Sequence, residues 1–459
     1  MMRSIRHACA LAAMLCATSA PALITVGPQG QFQGMQAGLN ALTTSATETE
    51  LRIQSGATFK EILTLTINSN RAFIISGGWD ATFAQQTDNS SLTVLDGNYV
   101  GRVLSITLNA GTLHFDNVTV THGFNANSAG GGLFVSTHGA GTAATLSRIA
   151  VHDNDSYSTG NVHPGGGGIF ASAEQGPITI DNGVIYNNRA LSFGAADVYG
   201  GGLFAQVYAN AGLHLIGTAA KRTYLSANVA DGGSGASSFG AGCFIQTLGN
   251  AVVELTFADI VDNIGRGNFA ARYGCEIDMS NTAALTLANL RIVGNSEDAA
   301  HPLNSSQLYA LAGTNSTFDV HDTVVSAGSG EGLHLGVGSG SSMRLLNLSI
   351  ANNPFGGLLL DSTTGAQMYN SIVAGNGSYD ISPALIPGDH DFIGGDPQFV
   401  SGDRYLHVVA GSPVRNAGND APPGGLAALD ADGTPRLFES HVEIGAYEIG
   451  DPIFANGFE

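Results

Sequence analysis

One short pattern constrains this chain more than any other: two glycines, an aliphatic residue and a phenylalanine. It occurs as Gly131-Gly132-Leu133-Phe134, Gly167-Gly168-Ile169-Phe170 and Gly201-Gly202-Leu203-Phe204. An altered copy is Gly240-Ala241-Gly242-Cys243-Phe244, and a looser one is Tyr273-Gly274-Cys275-Glu276-Ile277. Intervals of about 32 to 40 residues suit one supersecondary unit per repeat. A second signature follows the first, an aliphatic residue with Asn three positions on: Val151/Asn154, Ile185/Asn188, Leu225/Asn228, Ile260/Asn263, Ile292/Asn295, Ile350/Asn353 and Val373/Asn376. Asn tolerates the left-handed conformation of a tight corner, and its amide can bond the backbone or the Asn of the next repeat. Gly123 and Gly328 take the same place in two further repeats.

Between these corners lie short runs with alternating apolar residues, such as Leu113-His114-Phe115, Ile178-Thr179-Ile180, Val253-Glu254-Leu255, Leu285-Thr286-Leu287 and Met343-Arg344-Leu345. Alternation of this kind marks strands with one face inward. Abundant glycine and β-branched residues disfavour a helical repeat, and two or three short strands per repeat are too few for a propeller blade. The expected fold is all-β, a right-handed parallel β-helix of stacked coils. Like residues of successive coils then lie about 4.8 Å apart and form ladders. Leu133, Ile169, Leu203 and Cys243 are expected to make an inward apolar row with Phe134, Phe170, Phe204 and Phe244 outward, although the sequence also admits the reverse. Phe32 to Leu42 reads as a short amphipathic helix, with Phe32, Met35, Leu39 and Leu42 on one face, capping the first coil against edge pairing.

Cys243 and Cys275 fall at equivalent positions of consecutive repeats, within the Cα range of a disulfide. The spacing also admits two buried thiols, while zinc would need further ligands. At the N-terminus, Arg3 and Arg6 precede the apolar run Ala8 to Ala17 and the stretch Ser19-Ala20-Pro21-Ala22. This is the pattern of a secretory signal peptide cleaved after Ala22. Leu15 stands where a lipidation signal at Cys16 would place a small residue. No later segment has the roughly 18 unbroken apolar residues of a membrane helix.

The chain of 459 residues has a formal net charge of −20, and Lys60 and Lys221 are its only lysines. That balance argues against nucleic-acid binding and against unaided binding of polyanions such as pectate or alginate.

From Leu51 to Gly123, the segments Leu51-Arg52-Ile53, Phe73-Ile74-Ile75-Ser76-Gly77-Gly78-Trp79, Thr93-Val94-Leu95-Asp96-Gly97 and Val118-Thr119-Val120-Thr121-His122-Gly123 resemble bacterial parallel β-helix proteins related to polymorphic outer-membrane proteins. The C-terminal part contains Asn370-Ser371-Ile372-Val373-Ala374-Gly375-Asn376, Gly395-Asp396-Pro397-Gln398-Phe399, Gly411-Ser412-Pro413-Val414, Asp430-Ala431-Asp432-Gly433-Thr434-Pro435-Arg436 and Glu443-Ile444-Gly445-Ala446-Tyr447-Glu448. It resembles the choice-of-anchor Q domain, which closes secreted β-helix proteins ahead of varied sorting tails. The chain departs from that pattern at Val442-Glu443 and Arg415-Asn416. Asp451 to Glu459 is similar to a short terminal tail on exported proteins of some Gram-negative bacteria. These resemblances imply an exported protein, extracellular or on the outer surface of a Gram-negative cell. They divide the chain into a signal peptide (1–22), a β-helix with its N-terminal cap (23–365), last coils with the anchor-type domain (366–450) and a tail (451–459).

Enzymatic β-helices carry paired Arg and Lys, or Asn-Thr-Asp, Asp-Asp and Gly-His-Gly steps on neighbouring coils, and this sequence has none of them. Glu276 and Asp278 form its best outward carboxylate pair, a pairing that glycoside hydrolysis can use, but they read as solvated surface. Asp430-x-Asp432-Gly433 and Asp389-His390-Asp391 come nearest to calcium contacts, lack an EF-hand ligand count, and are accounted for by Asx turns. His114, His214 and His334 fall on outer faces of coils that are not adjacent. The expectation is an adhesive, structural or carbohydrate-binding surface protein that meets polysaccharide or matrix components, without a cofactor unless calcium serves. A polysaccharide lyase or glycoside hydrolase on the same scaffold is the alternative.

Overall fold

The computed structural model describes residues 23–267, 272–297, 305–384 and 386–449. The expected signal peptide and the tail after 450 lie outside them. Each coil sends one short strand to each of three long parallel sheets, in chain order sheets I, II and III. In one coil these are Leu133–Thr137, Ala143–Ser147 and Ala150–His152. Sheet I has 11 strands, sheet II 13 and sheet III 12, and a fourth, six-stranded sheet (IV) runs from Phe124–Ala126 to Ser296–Glu297. Every pairing between these strands is parallel, in sequence order from coil to coil, which gives a right-handed parallel β-helix.

The ladders follow from register. Leu133, Ile169, Leu203, Cys243 and Cys275 are successive partners in sheet I and are all fully buried. Each buried aliphatic side chain contributes roughly 1.5–3 kcal/mol before entropy. The phenylalanines therefore face outward. Cys243 and Cys275 are joined by a disulfide across one coil step, with Cα atoms 4.6 Å apart.

The corner asparagines form one continuous buried chain of amides. Asn154 Nδ2 donates to Asn188 Oδ1 at 2.9 Å, Asn188 to Asn228 at 3.1 Å, Asn228 to Asn263 at 3.0 Å and Asn263 to Asn295 at 2.8 Å. The next coil has Gly328 at this corner. There Gln307, from the start of the same coil, fills the slot: its Oε1 accepts from Asn295 at 3.2 Å and its Nε2 donates to Asn353 at 2.8 Å. Asn353 then bonds Asn376, and Asn376 bonds Asp380, both at 3.0 Å. Glycine is required at Gly328 because a Cβ there would stand 2.5 Å from the Gln307 side chain. The two sequence signatures meet in the same way elsewhere, where a Cβ on Gly202 would lie 2.8 Å from the Asn228 amide.

One expectation about these corners needs correction. The ladder asparagines do not adopt the left-handed conformation; the preceding residues do, at Asp153 (φ 55°), Asn187 (53°), Ala227 (54°), Asp262 (56°) and Asn352 (59°). That turn aims the next side chain inward, so each Asn is placed to bond across coils.

The capping helix spans Met35–Thr44 and buries Met35, Leu39 and Leu42. It starts later than the apolar face suggests, because Phe32 is held in a bridge to Val26 and Gly34 takes the N-cap. Glu61 reaches across from the next coil and accepts from the amides of Met35 (2.8 Å) and Gln36 (3.1 Å), satisfying the helix N-terminus.

Residues 395–449 form a strap with only isolated bridges, laid on the outer face of sheet III. Leu406, Ala431, Ala446 and Tyr447 pack on Val293, Val324 and Ala351, while Val414 and Ile444 pack on Ile372 and Ala374. Fully buried Arg436 ties the strap to the solenoid, bonding Asp322 of the corner before sheet III (Nε, 2.6 Å) and Glu448 of the strap (2.9 Å).

Candidate functional site

The outer face of sheet I carries two parallel rows. The first is aromatic, running Phe134, Phe170, Phe204 and Phe244, and continues in register into Glu276, Tyr309 and His334. Successive phenylalanine centroids lie 5.5, 4.9 and 5.6 Å apart, within stacking range. The second row is polar: Ser136, Ser172, Gln206, Gln246 and Asp278.

A wall stands beside these rows because the loops entering sheet I fold into their own short parallel pair, Val198–Tyr199 with Ser238–Phe239. Tyr199 packs 5.7 Å from Phe204, 4.7 Å from Phe244 and 5.4 Å from Phe239. His163 continues the wall, 5.4 Å from Tyr199, with Nδ1 3.0 Å from the Asp197 carbonyl. Asp197 Oδ1 in turn accepts from the Ser237 amide at 2.9 Å, clasping the two loops. The wall and the C-terminal part of the rows enclose a cleft of about 410 Å³, lined from the rows by Phe204, Gln206, Phe244, Gln246, Glu276 and Asp278. That volume is in the range of small-ligand pockets. The rings touch one another, so they form a continuous platform rather than the separated walls of a cation cage.

Sequence reasoning missed the wall, although a signal was present. The residues immediately before two glycine motifs are aromatic, Tyr199-Gly200 and Phe239-Gly240, and a third copy has His163-Pro164 ahead of its glycines.

Glu276 and Asp278 sit at the C-terminal end of this cleft, and their reading as solvated surface is overturned for Glu276. Its side chain points outward from the strand, yet the residue is only 3% exposed. Phe244 precedes it in the row and Tyr309 follows it, and Arg272 lies over Tyr309 with its guanidinium 3.8 Å from the ring centroid. Arg272 Nη1 donates to Glu276 Oε1 at 3.2 Å, while the buried Oε2 has no hydrogen-bond partner among the described residues. Burial first of all, reinforced by the Asp278 charge and opposed by Arg272, pushes the Glu276 carboxyl up to about 8. Asp278 is half-buried, and burial raises it as well, against the pull of Arg272.

The other acidic candidates are engaged elsewhere. Asp430 Oδ1 accepts from the amides of Asp432 (2.9 Å) and Thr434 (2.7 Å), and Oδ2 from that of Glu448 (2.8 Å), so the residue organises a turn of the strap. Asp432 is bound by Arg291 and by His407 Nε2 at 2.9 Å. Asp391 accepts from the Ser371 amide at 2.9 Å, and Asp389 pairs with His390 and Asn419. Among the described residues no three or more His, Cys, Asp or Glu side chains converge as a metal site. His214 pairs with Glu254 at 3.0 Å and His334 with Asp361 at 2.8 Å, on different sheets. No described helix is long and apolar enough to cross a membrane.

No protein-family model matches the chain, and no curated protein matches it. What is established is the parallel β-helix with its coil repeat. The likeness to polymorphic outer-membrane repeats and to the choice-of-anchor Q domain rests on the residues quoted above.

Proposed function

We propose that this chain is an exported β-helix protein that binds neutral glycans along the outer face of sheet I. The observation that carries the reading is the run of half-buried rings Phe170, Phe204, Tyr199 and Phe239, with Phe244 buried among them. Pyranose rings present flat C–H faces that stack on aromatic rings, and a platform repeating at about 4.8 Å per coil is commensurate with a chain of such rings. The adjoining Gln206 and Gln246 offer donors and acceptors for sugar hydroxyls. Asp197, Glu276 and Asp278 line the cleft of a chain already at −20, which disfavours uronate polymers and other polyanions.

Export is part of the same proposal. It is supported by the N-terminal Arg3/Arg6 and apolar pattern, and by a disulfide suited to an oxidising compartment. The anchor-type resemblance of the C-terminal part adds attachment at the outer surface of a Gram-negative cell, where glycan binding serves adhesion. The test is a binding screen of the purified protein against neutral and acidic polysaccharides, each with calcium or with chelator. Retention by neutral polymers regardless of calcium supports the reading. Retention only by acidic polymers in the presence of calcium contradicts it.

A further inference from the structure

Taking the glycan-binding reading as its basis, we propose that the cleft also cleaves its ligand: Glu276 protonates the leaving glycosidic oxygen, and Asp278 takes a proton from the water that attacks the anomeric carbon. Glu276 is the least economical side chain on sheet I if it serves only structure. It is a carboxyl on the outer face, nine-tenths buried, with one oxygen bonded to Arg272 and the other lacking any partner among the described residues. A buried polar atom without a partner forfeits its hydration without replacement. A glutamine, or a continuation of the phenylalanine row, would avoid that cost. Glu276 lines the cleft, and its covered Oε2 would meet a ligand oxygen when ligand entry displaces the side chain.

Placement supports the division of labour. Phe244 and Glu276 are register partners, as are Gln246 and Asp278, so the platform and polar row each end at a carboxyl on the same strand. A sugar chain lying along the half-buried Phe204 and Tyr199, over the buried Phe244, would run toward Glu276. Two residues on one strand face are about 6.6 Å apart along the chain. Inverting glycoside hydrolysis needs a water between two such carboxyls, and side chains borne two residues apart on one strand face can flank one. Arg272, held on Tyr309, fixes the orientation of Glu276 through Oε1 and leaves Oε2 for the ligand.

In the step, the bond between the anomeric carbon and the bridging oxygen breaks, and that oxygen takes the Glu276 proton. The water oxygen bonds the anomeric carbon from the opposite face while its proton passes to Asp278. Solvent returns the proton from Asp278 to Glu276. One water is consumed, and the new reducing end has inverted configuration. Glu276, the more deeply buried of the two, retains its proton to about pH 8 and so enters the step as the acid. The other titratable groups lining or adjoining the cleft are Asp197, His163, Tyr199, Arg272 and Tyr309.

The experiment incubates the full protein, and its Glu276→Gln and Asp278→Asn variants, with a panel of neutral β- and α-linked polysaccharides. Bound polymer and new reducing ends are measured on the same samples, and NMR identifies the first-formed anomer. Expected are reducing ends from the parent with inverted configuration, falling at least 100-fold in each variant while polymer binding persists. Glu276→Gln copies the protonated group in shape, and its retained binding and unfolding midpoint report that it is folded. Binding without reducing ends in the parent overturns this inference and leaves the glycan-binding reading intact. Undiminished reducing ends in Glu276→Gln also overturn it, and failure of the parent to bind any neutral polymer overturns both.

Discussion

Asn228 shows how much a single side chain carries in this architecture. Its Oδ1 accepts from the backbone amide (3.1 Å) and the Nδ2 (3.1 Å) of Asn188, and its own Nδ2 donates to Asn263 and to the Ile185 carbonyl. Asn228→Ala leaves several of these fully buried groups unpaired, at about 1–3 kcal/mol for each donor or acceptor left unsatisfied. A drop of several kcal/mol in unfolding free energy is expected in urea titrations, and Gln307→Ala should show a loss of the same kind because Gln307 bridges the gap at Gly328. The Asn spacing was legible in the sequence, but Gln307 was not, since it precedes its corner by most of a coil. Assigning the left-handed turn to Asn itself was one position out, because the repeat shows that a turn is needed without showing which residue makes it. Glu276 teaches a related point: strand alternation tells which way a side chain points, whereas burial depends on Arg272, Phe244 and Tyr309 around it. The Glu276 carboxyl is raised on folding from 4.5 to about 8. Between those values the folded protein keeps a proton that the unfolded chain has released. Its contribution to stability is therefore full below about pH 4.5, declines as pH rises, and is lost above about 8. Glu276→Gln should be the more stable protein at pH 9 and should flatten that part of the pH profile, as measured by chemical denaturation across pH 4–9.

Among the elements, the strap and the wall loops were the least legible. Residues 395–449 have almost no regular structure, so no period marks them, and their contacts with sheet III span large separations in sequence. The buried Arg436 could not be found from pattern: arginine is ordinarily exposed, and its partners Asp322 and Glu448 come from different parts of the chain. Arg436→Ala leaves Asp322 and Glu448 buried without the guanidinium that joins them, a change worth about 3–5 kcal/mol. The expected result is release of the strap, read as protease cleavage within 395–449 and new exposure of Val293, Val324 and Ala351, while the coils before Arg222, which donates to the Ala431 carbonyl of the strap at 3.0 Å, stay protected. Equal loss of protection along the whole chain would show instead that strap and solenoid unfold as one unit. The wall loops escaped notice for a different reason. Tyr199 and Phe239 repeat only over two coils, too few for a periodicity, although both stand directly before a glycine motif.

At the scale of the molecule, the architecture was legible because the same local choices recur from coil to coil: aliphatic residues inside and, over the central coils, glycine beside Asn and aromatic outside. Cys243 above Cys275 and Leu133 above Ile169 follow from that repetition alone. The proposed site lies where repetition stops, at the coil where the phenylalanine row becomes Glu276 and the polar row becomes Asp278. Glycan binding, as proposed, depends on the outward aromatic row. The most direct test is titration calorimetry of one neutral oligosaccharide, chosen from the screen, against the parent and Phe204→Ala. Phe204 lies mid-platform and its backbone pairing is unaffected by truncation of the ring. A loss of affinity of about tenfold or more, equivalent to about 1.4 kcal/mol, with an unchanged unfolding midpoint, is the result this account predicts. Equal affinity in the two proteins would place the ligand elsewhere and contradict it.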